Sequence, residues 1–489
     1  MLVTFFPLEA LDSGAVPAGE WRNGERGNYV AVTVYYADHA WLGGDGVVAG
    51  VVVEVTGEAI SDVRQEAGGP PPGAVHLRGV TIPGMANAHS HAFHRALRGR
   101  TQRDRGTFWT WREQMYQVAA RLTPELYHRL AVAVYAEMAL AGITCVGEFH
   151  YLHHDAEGRR YASRNAMGEA LVAAAADAGI RITLLDACYL TGGFDVPLAG
   201  PQTRFTDLSA TAWANRVDDL LDDVTTRGEA TGSPFGGHAR VGAALHSVRA
   251  VPADEIGIVA GWSRARGVPL HFHLSEQTAE NDACKAAHGR TPTELLADHG
   301  ALGPASSAVH ATHLTPADIS LLGAAGTTVC ACPTTERDLA DGIGPSATSP
   351  TPAPLSLGSD SHAVIDLLEE ARAVELDERL ATRHRGHWQA IDLLRSATET
   401  GHASLGWTEA GQIRPGAPAD LVTVSLDSVR LAGAHPTTLP ESLIFAATAS
   451  DVREVVATGR HIVSGGRHLL AGDVPALLAA AIGEVTRAE

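Results

Sequence analysis

The chain has 489 residues, 45% of them hydrophobic and only 19% charged, with a formal net charge of -19. This length and apolar content allow a large buried core and more than one domain, while the acidic balance, with no basic cluster interleaved with aromatics, argues against nucleic acid as a partner. Lysine occurs once, at Lys285, which excludes a P-loop nucleotide site and a pyridoxal Schiff base, since each needs a lysine in a setting that Lys285 lacks.

The opening stretch MLVTFFPLEALDSG has no basic-then-apolar signal pattern, and no apolar run reaches the roughly 18 to 20 residues of a membrane span. A cytoplasmic protein without membrane contact is expected. Cys145, Cys188, Cys284, Cys330 and Cys332 form an odd set without scaffold spacing, which fits a reducing compartment. Cys330 and Cys332 read as small core residues of one strand rather than as soft-metal ligands.

Between residues 28 and 82, short alternating runs (Tyr29 to Tyr35, Val47 to Val55) punctuated by glycine and proline predict small antiparallel strands. From there, strand-like runs near 80–91, 142–151, 180–188, 240–246, 268–274, 306–312, 326–332 and 355–360 alternate with helical patterns. Eight such units predict an α/β fold, a (β/α)8 TIM-like barrel. Among the helices, Met167 to Gly179 is alanine-rich and ends in glycine. Thr291-Pro292-Thr293-Glu294 combines a cap, a first-turn proline and a capping-box glutamate before a stop at Gly300. Two long connections, 189–211 and 333–354, follow strand ends and would lie over the barrel mouth, as lids or as plain surface loops. Beyond the barrel, Ala419 to Val424 and Val452 to Val463 are again strand-like, with turn chemistry at Gly411 to Gly416. The expected organisation is residues 1–81 as the first part of a small β-sandwich domain, 82–409 as the barrel, and 410–489 as the rest of the β-domain with a terminal helix.

Chemistry enters with His89-Ser90-His91. In a strand, residues two apart share a face, so both imidazoles aim at one point. His273, His310 and Asp360 also stand where an apolar run ends, the usual place for active-site residues on a parallel barrel. His89, His91, His273 and Asp360 would supply the nitrogen and oxygen shell of a catalytic zinc, with one position left for water. Glu276, three residues past His273, is placed to pass a proton to departing ammonia. His310 is placed to hold the water or to stabilise charge in the transition state, and is preferred over His313 because it is nearer its strand. His271 reads as a supporting or core residue, and His150, His153 and His154 as solvated or supporting ones.

In this order, His-x-His, His-x-x-Glu, His, Asp, the chain resembles the amidohydrolase superfamily in its single-metal deaminase branch, whose barrel is usually accompanied by a two-ended β-domain. Relatives that bridge two metals use a carboxylated lysine, and no lysine lies between His91 and His273. The stretches HSHAFHRALRG, FWTWREQMY, GEFHYLHHDAEG, LHSVRAV, VCACPTTERDLADG and LGSDSH, spread over residues 83–362, are similar to the branch that hydrolyses N-formimidoyl-L-glutamate to N-formyl-L-glutamate and ammonia in histidine degradation. The resemblance implies one zinc per subunit, with iron(II) the alternative ion, at His89, His91, His273 and Asp360. It also implies proton handling by Glu276, His310 and Asp360, and substrate contacts from His94, Arg112, Tyr151, His246 and Arg249. The partner it implies is a small dicarboxylate, for which arginine's planar fork is the best grip. His94 departs from the glutamine of that branch; both side chains donate a hydrogen bond, with different length and direction. Deamination of a heterocycle such as guanine or a pterin is the alternative activity, and a homodimer is the default assembly.

Overall fold

Short runs rich in β-branched, aromatic and other apolar residues make the first strands: β1 (Val32–Trp41), β2 (Val47–Thr56), β3 (Ala59–Gln65) and β4 (Val75–Pro83). They come from a computed structural model, which describes residues 32–102, 106, 108–231, 237–345 and 353–487; the start of the run predicted at Tyr29 lies outside the described residues. Eight further strands follow: β5 (Met85–Ser90), β6 (Ile143–His150), β7 (Arg181–Cys188), β8 (Ala239–Leu245), β9 (Leu270–Leu274), β10 (Ser306–His310), β11 (Thr328–Ala331) and β12 (Leu355–Leu357). They pair in parallel, each with its sequence neighbour. Nearly every residue on them is buried, as expected where helices cover the outside of a sheet and side chains fill the inside.

The predicted run 80–91 proves to be two strands. Residues through Pro83 belong to the sheet of the chain ends, and those from Met85 to the barrel. Gly84 makes the transfer possible, because a Cβ there would lie 2.2 Å from the Thr144 hydroxyl oxygen and 2.8 Å from Asp420. The last barrel seam is made by residues of interest themselves. Ser90 bridges Asp360 in parallel, the Asp360 N–H donates to the His89 carbonyl at 3.0 Å, and the His91 N–H donates to the Asp360 carbonyl at 3.2 Å.

The final strands, β13 (Leu421–Val424), β14 (Val452–Ala457), β15 (Arg460–Ser464) and β16 (Arg467–His468), join β1 to β4 in one mixed sheet. β4 is its hinge, parallel to β1 and antiparallel to β13. A separate small core of Tyr35, Val51, Val53, Val55, Leu421 and Val456 among others fills this sheet, and the buried pair Arg181–Asp420 ties it to the barrel.

Local signals for helices hold where they were strongest. Thr291 caps Pro292–Asp298 with the full capping box, and Ala166–Ala178 ends on Gly179 at φ 78°. Both long connections carry a short helix, Gly200–Phe205 in one and Pro333–Asp338 in the other. Residues 346–352 of the second lie outside the described residues. Among the described residues no helix is long and apolar enough to cross a membrane.

Candidate active site

β5 delivers His89 and His91 to one face, β9 delivers His273 from its C-terminal end, and Asp360 follows β12. Their side chains converge. His89 Nε2 lies 3.3 Å and His91 Nε2 3.4 Å from Asp360 Oδ1, and His273 Nε2 lies 3.2 Å from His89 Nε2. All four donor atoms fall within 4.8 Å of one another, and all four residues are buried. The unused ring nitrogens explain the orientation: His91 Nδ1 sits 2.9 Å from the Phe149 carbonyl and His273 Nδ1 2.7 Å from the His246 carbonyl. A carbonyl only accepts, so each Nδ1 carries the proton and each Nε2 turns a lone pair inward.

Burial pushes the imidazoles of His89, His91 and His273 below their ordinary range. Burial opposes ionisation of Asp360, but the hydrogen bond with His89 and the nearby His310 outweigh it and hold its carboxyl well below the usual range. Three neutral nitrogens and one carboxylate, with no arginine or lysine among the described residues bonded to any of them, are a donor set that suits a divalent cation.

A layer below fixes this group. Ser90 donates to Glu148 at 2.7 Å, and the Ala92 N–H donates to the same carboxylate at 2.7 Å. Asn87 and Ser359 exchange two hydrogen bonds across the closing seam, and His362 bridges the hydroxyls of Ser90 and Ser359 at 3.1 and 2.9 Å. Sequence reasoning named none of these as site residues, although Glu148 and His362 lie inside the stretches GEFHYLHHDAEG and LGSDSH.

Ser275, His310, Ala311, Asp360 and His362 all have positive φ. Non-glycine residues reach that region at a cost, and such strain concentrates at sites where side-chain direction matters. His310 is aimed by this backbone and by Glu336, whose Oε1 lies 3.4 Å from Nδ1 and also accepts the Cys332 N–H at 3.0 Å. Its Nε2 is then 3.9 Å from both Glu276 Oε1 and Asp360 Oδ2. Burial opposes protonation of His310, yet Glu276, Glu336 and Asp360 together hold it well above its ordinary range. Glu276 is raised, first by burial and then by Asp360, with His310 pulling the other way.

One cavity is lined by Glu276, His310 and Asp360 together with His94, Arg112, Tyr151, His246 and Arg249. His94 Nε2 lies 3.0 Å from the Tyr151 hydroxyl, its Nδ1 is buried without a partner, and burial pushes it down to about 3. The His246 ring lies 5.1 Å from that of His273. Arg249 is oriented by Glu280, which accepts from its Nε at 3.0 Å and from the Ser275 N–H at 3.3 Å. Arg112 stands on the helix Phe108–Arg121 with its guanidinium 5.7 Å from the Tyr116 ring. Trp111, Met115, Tyr116, Tyr189, Phe205 and Leu339 complete the wall. Phe205 comes from the connection 189–211 and Leu339 from 333–354, so both connections build the cavity. Their aromatic and apolar character gave no ligand signal in the sequence.

The remaining histidines fall elsewhere. His271 is buried in the barrel interior, with Nε2 donating to the Ser404 carbonyl at 2.9 Å. His313 takes only backbone roles, its N–H donating to the Ser275 carbonyl. Of the two readings of His150, His153 and His154, as solvated or as supporting residues, the solvated one is corrected: all three are buried. They pack around Asp186 and Asp207, whose carboxylates are bound by Arg216 at 2.7 to 2.8 Å, so a buried ionic network takes the place of solvent. Cys330 and Cys332 are buried against Ala88 and Val309, as small core residues.

Comparison with known proteins gives consistent relatives. Residues 80–462 match the model of the Amidohydrolase family. Formimidoylglutamate deiminase of Pseudomonas aeruginosa is 35% identical over 442 residues, covering 88% of this chain and 94% of that protein. The 8-oxoguanine deaminase of the same organism is 30% identical over 379 residues, covering 76% and 80%. Among solved structures, an amidohydrolase from Brucella melitensis superposes with a TM-score of 0.84 at 32% identity, covering 93% of this chain and 100% of that one. An adenosine deaminase from Xanthomonas campestris with bound zinc reaches 0.79 at 24% identity, covering 92% of this chain and 97% of that one.

Proposed function

This chain belongs to the amidohydrolase family, and we propose that it is a zinc-dependent deiminase that hydrolyses N-formimidoyl-L-glutamate to N-formyl-L-glutamate and ammonia. The observation that carries this reading is a single cavity lined both by donors and proton-transfer groups and by two guanidiniums, Arg112 and Arg249. A substrate with two carboxylates needs such local positive groups in a chain of net charge -19. The similarity to a formimidoylglutamate deiminase supports the same substrate.

His89, His91, His273 and Asp360 would hold the cation, which when bound supplies a water acidic enough to deprotonate near neutrality. Arg249, steadied by Glu280, and Arg112 would grip the carboxylates and hold the amidine carbon toward the donor cluster. Glu276, whose carboxyl is raised by burial, would relay a proton to the terminal nitrogen, which leaves as ammonia only once protonated. His310, with Nδ1 engaged by Glu336, would direct a charged Nε2–H at the oxygen on which negative charge develops. In the balance, water adds its oxygen to the amidine carbon, the bond from that carbon to the terminal nitrogen breaks, and both protons of water end on nitrogen.

Metal-loaded protein incubated with N-formimidoyl-L-glutamate should release one ammonia per N-formyl-L-glutamate formed. Formamide and free glutamate instead would mean that the other bond breaks. A second reading, deamination of a heterocycle, draws on the aromatic wall of Trp111, Tyr116, Tyr189 and Phe205 and on the similarity to 8-oxoguanine deaminase. Under that reading Arg249→Met costs little. Under the proposed one it raises KM by about 10- to 100-fold.

A further inference from the structure

Tyr189 follows β7 and is 3% exposed. Its ring lies 4.5 Å from that of His246, which in turn lies 5.1 Å from that of His273. Tyr189 therefore stands one ring beyond His246 as measured from the metal donors.

The hydroxyl of Tyr189 has its acceptor side already occupied. Gln202, in the short helix Gly200–Phe205, donates from Nε2 to the Tyr189 hydroxyl at 2.9 Å. The orientation of that amide is fixed by its other end, where Oε1 accepts the Ala199 N–H at 3.1 Å. An amide nitrogen can only donate, so the single phenolic proton of Tyr189 must point away from Gln202.

The space left to it is the cavity it shares with Arg112, Tyr116 and Arg249. These groups surround one region. The Tyr116 phenol is pushed up to about 12, by burial first and then by Tyr189, including a hydrogen bond with it, while Arg112 and Arg249 pull it down; a bond that raises a phenol is one it donates, so the Tyr189 oxygen accepts there too and its own proton is left for the cavity. An oriented O–H beside two guanidiniums is a donor set for a carboxylate. Its place beyond His246 suits the carboxylate farther from the reacting carbon.

We propose that Tyr189, positioned by Gln202, is a specificity-determining residue whose hydroxyl donates to the side-chain carboxylate of the substrate; this rests on the dicarboxylate reading above. Tyr189→Phe removes only the oxygen. The probes are glutarate, which has two carboxylates, and valerate, which has one, titrated calorimetrically into zinc-loaded protein.

Wild type should bind glutarate more tightly than valerate. Tyr189→Phe should weaken glutarate roughly tenfold, with valerate changed by less than about twofold. In turnover, KM for N-formimidoyl-L-glutamate should rise by the same factor with kcat nearly constant. Gln202→Leu, which leaves the phenol but releases it, should lose a smaller part of the glutarate affinity. Unchanged glutarate affinity in Tyr189→Phe, equal loss for both probes, or no preference for glutarate in wild type would each overturn the assignment. If wild type binds glutarate but frees no ammonia from N-formimidoyl-L-glutamate, the proposed reaction fails, while the paired affinities still decide the role of Tyr189.

Discussion

Among the described residues, two buried groups combine histidines with an aspartate: His89, His91, His273 and Asp360 in one, and His150, His153 and Asp186 in the other. By residue type they are nearly interchangeable. Their partners separate them. In the first, the Nδ1 atoms of His91 and His273 are satisfied by carbonyls, the Nε2 atoms converge, and the only formal charge is that of Asp360. In the second, Arg216 binds both oxygens of Asp186 at 2.7 and 2.8 Å, Trp213 adds a donor at 2.9 Å, and His153 directs Nε2 to the Ala187 carbonyl. A guanidinium already neutralises the aspartate, so a divalent cation there would meet a resident positive charge. The histidines of the second group support a buried ion pair instead of forming a set of metal donors. The lesson is that hydrogen-bond and charge accounting, more than clustering, distinguishes a metal centre from a structural network.

The strongest way to break this comparison is to remove one aspartate at a time. Asp360→Asn should lose bound metal and lower kcat/KM by at least about 10³-fold, whereas Asp186→Asn should leave the metal content of the folded protein at one equivalent. Metal analysis of purified variants checks both, and a drop in Asp186→Asn would undo the distinction. Glu276→Gln should keep the metal but reduce kcat by roughly 10²- to 10⁴-fold, measured by ammonia release.

Arg216→Met probes the second group from its cation. It leaves Asp186 and Asp207 buried and unpaired, which should destabilise the fold by about 3–5 kcal/mol in urea unfolding, with little change in metal per folded chain. A smaller effect should appear with pH. Burial opposes ionisation of Asp207, but the His154 hydrogen bond and Arg216 outweigh it and hold its carboxyl below the ordinary range. A carboxyl depressed in the folded state stabilises above its unfolded pKa, near 3.9, and loses that contribution as pH falls toward the folded value. Wild type should therefore lose stability more steeply below about pH 4 than Arg216→Met does, as followed by Tm between pH 6 and 2.

Much of the barrel was legible because its signals are local. Apolar runs ending in histidine or aspartate marked β5, β9, β10 and β12, and period-two alternation put His89 and His91 on one face. Two runs prove to be two strands each: 80–91, where the chain changes sheets at the turn dipeptide Pro83-Gly84, and 452–463, which turns at Gly459. The walls of the cavity were harder to read. Tyr189, Phe205 and Leu339 look like ordinary core residues in the chain, and Glu280 and Glu336 look like exposed helix charges until Arg249 and His310 are set beside them.

By itself, then, the amino-acid order determined the eight strand-helix units and which donors stand at their ends, because side-chain direction along a strand depends only on neighbouring residues. Tertiary structure alone decided which buried histidines keep an inward lone pair and which aspartate already has a cation, because charge and hydrogen-bond partners such as Arg216 for Asp186, or Glu336 for His310, come from other elements and meet only when the barrel closes.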